Sequence, residues 1–343
     1  MGQQKEAAQK LVDEGIAYHD KGDYAGALKR YDEALELDKD NLFALTEKSL
    51  SLLSLEQYDS VIRTAQLAIA RHPGQDMLKT VYVSYGNACD GLKKTDRALD
   101  VYNEGLRQFP AYYPLYFNKG ITLTSVRKYE EALVCFEKSV QLNPKHASSH
   151  NAIARLQDGD GKRIPALLAY CRFLVLEPKG TRAADNRNNL LNIMKGNTEQ
   201  EGEDKKGRKK ITIKINPGMM GDTTADGKNI ANNFGSTDLI LAMTAGLDYD
   251  DKYEKETPVA RLTRKLELVC ATLQESQKKN FGFFWEYYVP YFLQMNGNKQ
   301  VNTFAYIVYA GAGDQAALQW ADAHEKEIKQ FYEWSGNFRW PGK

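Results

Sequence analysis

Four groups of side chains have the composition that metal or phosphate chemistry requires. His146 and His150 stand four residues apart, which puts two imidazoles on one face of a helix. No HExxH pattern contains them and no third ligand stands nearby, so metal binding is not expected. Asp158-Gly159-Asp160-Gly161-Lys162 imitates a phosphate loop, but it lacks the GxxxxGK[ST] spacing and follows a helical stretch; it reads as a lengthened turn. Asp248, Asp250, Asp251, Glu254 and Glu256 form an acidic loop. An EF-hand would have Gly sixth and Glu twelfth from Asp248, where the chain has Tyr253 and Val259. Cys89, Cys135, Cys171 and Cys270 make no CxxC pair, and each sits among apolar residues as a small buried thiol does. There is no GxSxG elbow and no supporting Cys–His spacing. The expectation is a chain with no catalytic residues, no metal and no cofactor.

What these groups sit on is set by composition and periodicity. The 343 residues give room for two or three domains and a sizeable core. Apolar residues at 42% and charged residues at 27% exclude wholesale disorder and a disulfide miniprotein. Lys+Arg 46 against Asp+Glu 45 leaves a net charge of +1, so no overall field selects nucleic acid. No apolar run is long enough to span a bilayer, so no integral membrane segment is expected. The opening Met-Gly-Gln-Gln-Lys-Glu lacks a basic region followed by an apolar one, so it is not a signal peptide. The location is then cytoplasmic, or periplasmic or secreted if the chain is a processed mature form.

The first half repeats. Gly15, Ser49, Gly86, Gly120 and Ala154 follow one another at intervals of 34, 37, 34 and 34 residues. Twelve positions after each stands Ala27, Val61, Ala98, Ala132 or Ala166; sixteen after stands Tyr31, Ala65, Tyr102, Phe136 or Tyr170. Pro73, Pro110, Pro144 and Pro178 close four of the units. A small residue on a first helix admits the ring of a second, a turn joins the two, and proline stops the second helix. The interval of 37 comes from Asp76, Met77 and Leu78, inserted between units two and three.

This pattern resembles the tetratricopeptide repeat over about residues 8–180. The resemblance implies an all-α fold, a right-handed helical-repeat superhelix of five helix–turn–helix units. The fifth departs most, with Gln157 at an apolar position and a stretched inner turn. A helix over about Arg182–Lys195 would cap the solenoid with a polar outer face.

The composition changes from Gly196 to Gly235. Glu199–Asp204 is acidic, Lys205–Lys210 is basic, and the segment reads as a solvated linker with one short strand or strap, Ile211–Ile215, ended by Pro217-Gly218. Beyond it, helices are expected from a Ser236 or Thr237 cap to Gly246 and from Thr257-Pro258 to about Lys278. A dense aromatic helix follows over Phe281–Met295, and Asp314 opens a last one to about Trp334. Gln300–Gly311 reads as helix or, from Tyr306-Ile307-Val308-Tyr309, as strand. The expected organisation is therefore a solenoid with its cap over 1–196, a linker over 197–235, and a smaller aromatic-rich helical domain over 236–343.

In proteins of the resembled family the first helix of each unit lines a concave face that takes extended peptides or helices. That implies groove positions at the second, fifth, ninth, twelfth and thirteenth residues of each unit. Among them Phe43, Leu50, Asn87, Phe117, Ile121, Asn151 and Arg155 offer apolar anchors and amides for a peptide backbone. Chaperone-binding members clamp a terminal carboxylate with Lys and Asn; the corresponding first-unit residues are Val12 and Ile16, so that clamp is absent. The implied function is a non-catalytic scaffold or adaptor for a protein or peptide partner. The alternatives are an enzyme with its active site in 236–343, or a structural subunit of an exported assembly. Phe43, Leu50 and Phe117 are open to a partner or are covered by the chain's own second domain.

Overall fold

The computed structural model describes residues 2–196, 198–203, 209–214 and 230–342, and these fold almost entirely into helices. By compactness the chain divides into residues 1–142 and 143–343.

The first unit holds four helical hairpins: α1 Gly2–His19 with α2 Tyr24–Leu37, α3 Leu42–Ser54 with α4 Tyr58–Arg71, α5 Leu78–Gly91 with α6 Thr95–Gln108, and α7 Tyr113–Ser125 with α8 Tyr129–Leu142. Three of the four hairpins close where the glycine expected on the first helix meets a ring of the second. A Cβ added to Gly15 would stand 2.3 Å from the Tyr31 ring; at Gly86 it would meet Tyr102 at 2.2 Å, and at Gly120 it would meet Phe136 at 2.6 Å. Tyr31, Tyr102 and Phe136 are buried. Burying each ring is worth a few kcal/mol at about 25 cal/mol per Å² of apolar surface.

The turns repeat as strictly as the contacts. Gly22, Glu56, Lys93 and Arg127 all take φ between 56° and 78°, and the next residue's N–H reaches back to a first-helix carbonyl at about 3 Å (Gln57 to Leu52, Lys94 to Cys89, Lys128 to Leu123). Three of these four left-handed positions are not glycine. Hairpin packing holds them where the side chain is disfavoured. Asp23 and Asn41 cap α2 and α3 by accepting from Gly26 N and Ala44 N, each at 2.9 Å.

The second unit opens with the fifth hairpin, α9 Ala147–Gly159 and α10 Arg163–Leu176, followed by α11 Thr181–Lys195. The turn expected to be stretched is not. Gly161 takes φ 74° and Lys162 N bonds Gln157 O at 2.9 Å, as in the other units. The helix α10 is buried from Ile164 to Val175 on every side, because other helices cover the flank that a terminal repeat would expose. The C-terminal helices are α12 Gly235–Gly246, α13 Pro258–Ser276, α14 Phe283–Tyr287, α15 Val289–Gly297, α16 Val301–Ala310, α17 Gln315–Ala323 and α18 Glu325–Asn337, of which α12 and α16 pack on α10.

The polar outer face expected on α11 is present, with Arg182, Asp185, Asn188, Asn192 and Lys195 exposed, but the helix does not end the stack, because its other side is covered within the second unit. Arg187 is buried and donates to the Val308 carbonyl at 2.9 Å and the Pro178 carbonyl at 3.3 Å. Compactness thus groups α9–α11 with the C-terminal helices, whereas the sequence period groups α9 and α10 with the first four hairpins.

Other sequence expectations meet their outcome here. The acidic stretch is not all linker: β1 Thr198–Glu203 pairs antiparallel with β2 Lys209–Ile213. Ile215, Pro217-Gly218 and residues 205–208 of the basic run lie outside the described residues. Neither Ser236 nor Thr237 caps α12; Asn233 Oδ1 accepts from Gly235 N instead. Thr257 caps α13 by accepting from Ala260 N. The aromatic helix is divided at Tyr288, since Pro290 has no N–H to bond the Glu286 carbonyl. Residues 301–310 are helix rather than strand. Asp314 caps α17 as expected, but the helix divides at His324. No helix of the described residues is long and apolar enough to cross a membrane.

Substitutions at the tight contacts test this register. Gly120→Leu overpacks the Phe136 contact and is expected to lower stability by about 1–3 kcal/mol or more in urea unfolding. Gly311→Ala tests the second unit, since its Cβ would stand 2.1 Å from the Pro178 carbonyl oxygen. Arg127→Gly removes a left-handed side chain and is expected to stabilise by up to about 1 kcal/mol.

Candidate partner-binding groove

In the first unit α1 packs beside α3, α3 beside α5 and α5 beside α7, so the first helices of the four hairpins form one continuous wall. The second helices intervene on the other side, α2 against α3, α4 against α5 and α6 against α7. Phe43 and Leu50 lie on α3, Asn87 on α5, and Phe117 and Ile121 on α7. All are half-buried except Ile121, which is 44% exposed.

The fifth groove position divides by unit. Val12 and Thr46 are core residues, with Thr46 Oγ1 donating to the Leu42 carbonyl at 2.8 Å, and are not lining. Val83 and Phe117, at the same position in units three and four, reach the surface. Phe117 rests 5.8 Å from the Phe136 ring, so the anchor is backed by the ring that closes its own hairpin.

Asn87 is partly committed. Its Oδ1 accepts from the Tyr102 hydroxyl at 2.6 Å, which uses one of the oxygen's two acceptor positions and leaves the amide N–H groups as donors for a partner. The repeat period also puts His19 on this face, while Ser51 and Glu47 fall outside the positions it gives. His19 Nδ1 and Ser51 Oγ are 2.7 Å apart and tie α1 to α3. Glu47, on the next turn of α3, has its carboxyl raised by burial, opposed by His19 and reinforced by Asp20. A helical period of one residue in four from Phe43 would have placed Glu47 on that face.

Asn151 and Arg155 lie on α9, in the other compact unit. Arg155 is exposed, while Asn151 Oδ1 is buried with no hydrogen-bond partner among the described residues. Beside them Arg182 donates to Ser148 Oγ at 3.1 Å, pairs with Glu177 and lies 5.3 Å over the Phe173 ring. This face is polar and cationic where the first unit's wall is apolar.

Several of the groups that imitated chemical motifs make hydrogen bonds and ion pairs within the fold. Both nitrogens of His150 are engaged, Nδ1 with the Tyr288 hydroxyl at 2.7 Å and Nε2 with the Pro144 carbonyl at 3.0 Å. A carbonyl only accepts, so Nε2 carries the hydrogen and Nδ1 accepts from the tyrosine. Burial, then Arg172, pushes the His150 pKa down to about 3. Asp248 and Glu256 of the acidic loop receive Arg264 at 2.8 and 2.7 Å. All four cysteines are free and buried, and burial pushes the Cys270 thiol up to about 12. No group of three metal-ligating side chains is present among the described residues. A cleft of about 410 Å³ lies between Thr257, Tyr306, Asp314 and Trp320. The carboxylate of Asp314 there accepts from Ala317 N at 2.9 Å, as a helix cap.

Family models of the tetratricopeptide repeat match residues 8–41 and 113–146. The chain is 30% identical over 93 residues to an Hsp70-Hsp90 organizing protein of Triticum aestivum, covering 27% of this chain and 16% of that protein. It is 24% identical over 168 residues to a STIP1 homolog of Dictyostelium discoideum, covering 40% of this chain and 30% of that one. The chain therefore spans under a third of the length of either curated relative. Among solved structures, a thermophilic repeat protein of Thermus thermophilus, TTC0263, aligns with a TM-score of 0.47 at 21% identity, over 54% of this chain and all of that one.

Two substitutions check the hydrogen-bond assignments. Asn87→Ala leaves the buried Tyr102 hydroxyl without its acceptor and is expected to cost about 1–3 kcal/mol, whereas Asn87→Asp keeps the acceptor and most of that stability. His150 is held neutral in the fold and protonates near pH 6.5 when unfolded, so its contribution is present above that pH and is lost as pH falls toward 3. His150→Gln is expected to show a smaller drop in melting temperature between pH 7 and pH 5 than the parent.

Proposed function

We propose, on the premise that this chain is a tetratricopeptide-repeat protein, that it is a non-catalytic scaffold which binds an extended or helical segment of a partner protein along the first-helix wall of residues 1–142. The observation that carries the reading is the alignment of half-exposed apolar groups on three adjacent helices: Phe43 and Leu50 on α3, Val83 on α5, and Phe117 and Ile121 on α7. Partly exposed rings and aliphatic chains in a row, each backed by its own hairpin, offer rigid anchor sites at little cost in side-chain entropy.

One curated relative is named for organising Hsp70 and Hsp90, and a chaperone tail ends in a carboxylate. At the first-hairpin positions where a Lys and Asn clamp would receive one, this chain has Val12, buried and apolar, and Ile16, half-buried. The partner we favour is therefore recognised by apolar side chains, with the Asn87 amide N–H groups donating to its backbone.

The test is calorimetric titration of a partner segment recovered by affinity capture. Phe43→Ala and Phe117→Ala are each expected to weaken binding by about 2 kcal/mol, roughly thirtyfold. Lys29→Ala, exposed on α2, should stay within about 0.5 kcal/mol. Unchanged affinity in both phenylalanine variants would remove the wall as the binding site.

A further inference from the structure

The unit of residues 143–343 buries a guanidinium whose partners among the described residues are hydroxyls, a carbonyl and ring faces, none of them a carboxylate. Arg172, near the middle of α10, is 1% exposed. Its Nη1 donates to Ser335 Oγ at 2.8 Å and to the Tyr291 hydroxyl at 3.4 Å, and its Nη2 donates to the Pro144 carbonyl at 3.3 Å. Its Nε has no partner among the described residues. The guanidinium carbon lies 5.1 Å from the Tyr291 ring and 5.0 Å from the Trp340 ring. A buried cation is ordinarily paired with an anion, because ring faces and carbonyls replace only part of its lost hydration.

Trp340 is the separable member of this cluster. It follows α18 in a segment without regular structure, and among the described residues no loop backbone hydrogen bond ties residues 338–342. Side chains hold it. Its rings lie 4.6 Å from Tyr287, 5.1 Å and nearly parallel to Tyr291, 6.4 Å from His150 and 4.9 Å from Phe338, leaving the residue 6% exposed. Tyr287, Tyr291 and His150 belong to α14, α15 and α9, so the walls stand on helices that do not include the inserted indole.

The geometry points to a binding site for an aromatic carboxylate, walled by Tyr287, Tyr291 and His150 with Arg172 as its cation, which the chain's own Trp340 fills in this structure. An indole satisfies the ring faces but offers the guanidinium no anion. A ligand bearing both a ring and a carboxylate satisfies both, with the unpartnered Nε–H as a donor ready for a charge-assisted bond. His150 adds no charge of its own: its Nε2–H is spent on Pro144 and its Nδ1 on Tyr288.

The test uses the full chain with Trp340→Ala and two probes of equal ring size, neutral 3-methylindole and anionic indole-3-propionate. Calorimetry is expected to show indole-3-propionate binding the variant about tenfold more tightly than 3-methylindole. The parent should bind it at least about thirtyfold more weakly, since Trp340 must first leave. Adding Arg172→Met to Trp340→Ala should erase the preference for the carboxylate while keeping indole binding. Equal affinity of the two probes for Trp340→Ala, no binding of either, or a preference that survives Arg172→Met overturns the assignment. Should Trp340→Ala not fold alone, the same probes are compared by the helical circular dichroism they restore. Recovery at about tenfold lower indole-3-propionate supports the site, and recovery with neither probe overturns it.

Discussion

The fold rests on how closely two helices of one hairpin can approach. At Gly15, Gly86 and Gly120 there is no room for even a methyl group, because Tyr31, Tyr102 and Phe136 occupy it. That contact sets the spacing within each pair and holds the inter-helix turn in a left-handed conformation whether or not the residue there is glycine. It also leaves the opposite side of each first helix free of its own partner. Four hairpins in succession, three of them closed by this contact, align those free sides, and the half-exposed apolar wall follows from a packing requirement rather than from any residue chosen to bind.

The C-terminal unit is organised around a different demand. The helix α10 carries an apolar side chain at nearly every position, so it must be covered on the flank where another repeat would otherwise stack. Covering it brings polar groups inside, and each finds an answer from the sequence far away. Arg187 takes the carbonyls of Val308 and Pro178, Lys265 takes the carbonyl of Met194 and the carboxylate of Asp248, and Arg172 takes Ser335 and Tyr291. Such bonds contribute modest net stability but are costly to leave unmade, so they specify one arrangement of the helices. Arg172 alone among these three cations is left with ring faces in place of further acceptors.

Much of the repeat was legible in one dimension because its rules are local. A small residue and a ring sixteen positions later meet within one hairpin, and a proline two residues past a helix ends it, whatever the rest of the chain does. The groove residues were legible by period but not by exposure. Val12 and Thr46 occupy the same repeat position as Val83 and Phe117, yet neighbouring packing buries the first two. Asn87 was identified as an amide on the right face, while its bond to Tyr102 depends on the second helix of the same unit.

By itself, then, the amino-acid sequence determined the hairpins, their number and the helical character of most of the second half, but not the breaks at Tyr288 and His324, since the repeat pairs meet within some forty residues. Tertiary structure decided what lies between distant segments. It placed the fifth hairpin and α11 in one compact unit with the C-terminal helices, paired an acidic stretch with Lys209–Ile213 as a hairpin, and set Trp340 against an arginine far back in the chain. Those outcomes turn on which surface covers α10 and which buried polar group meets which carbonyl. No periodicity records such choices, because they are fixed by the burial of one segment against another remote from it in the chain.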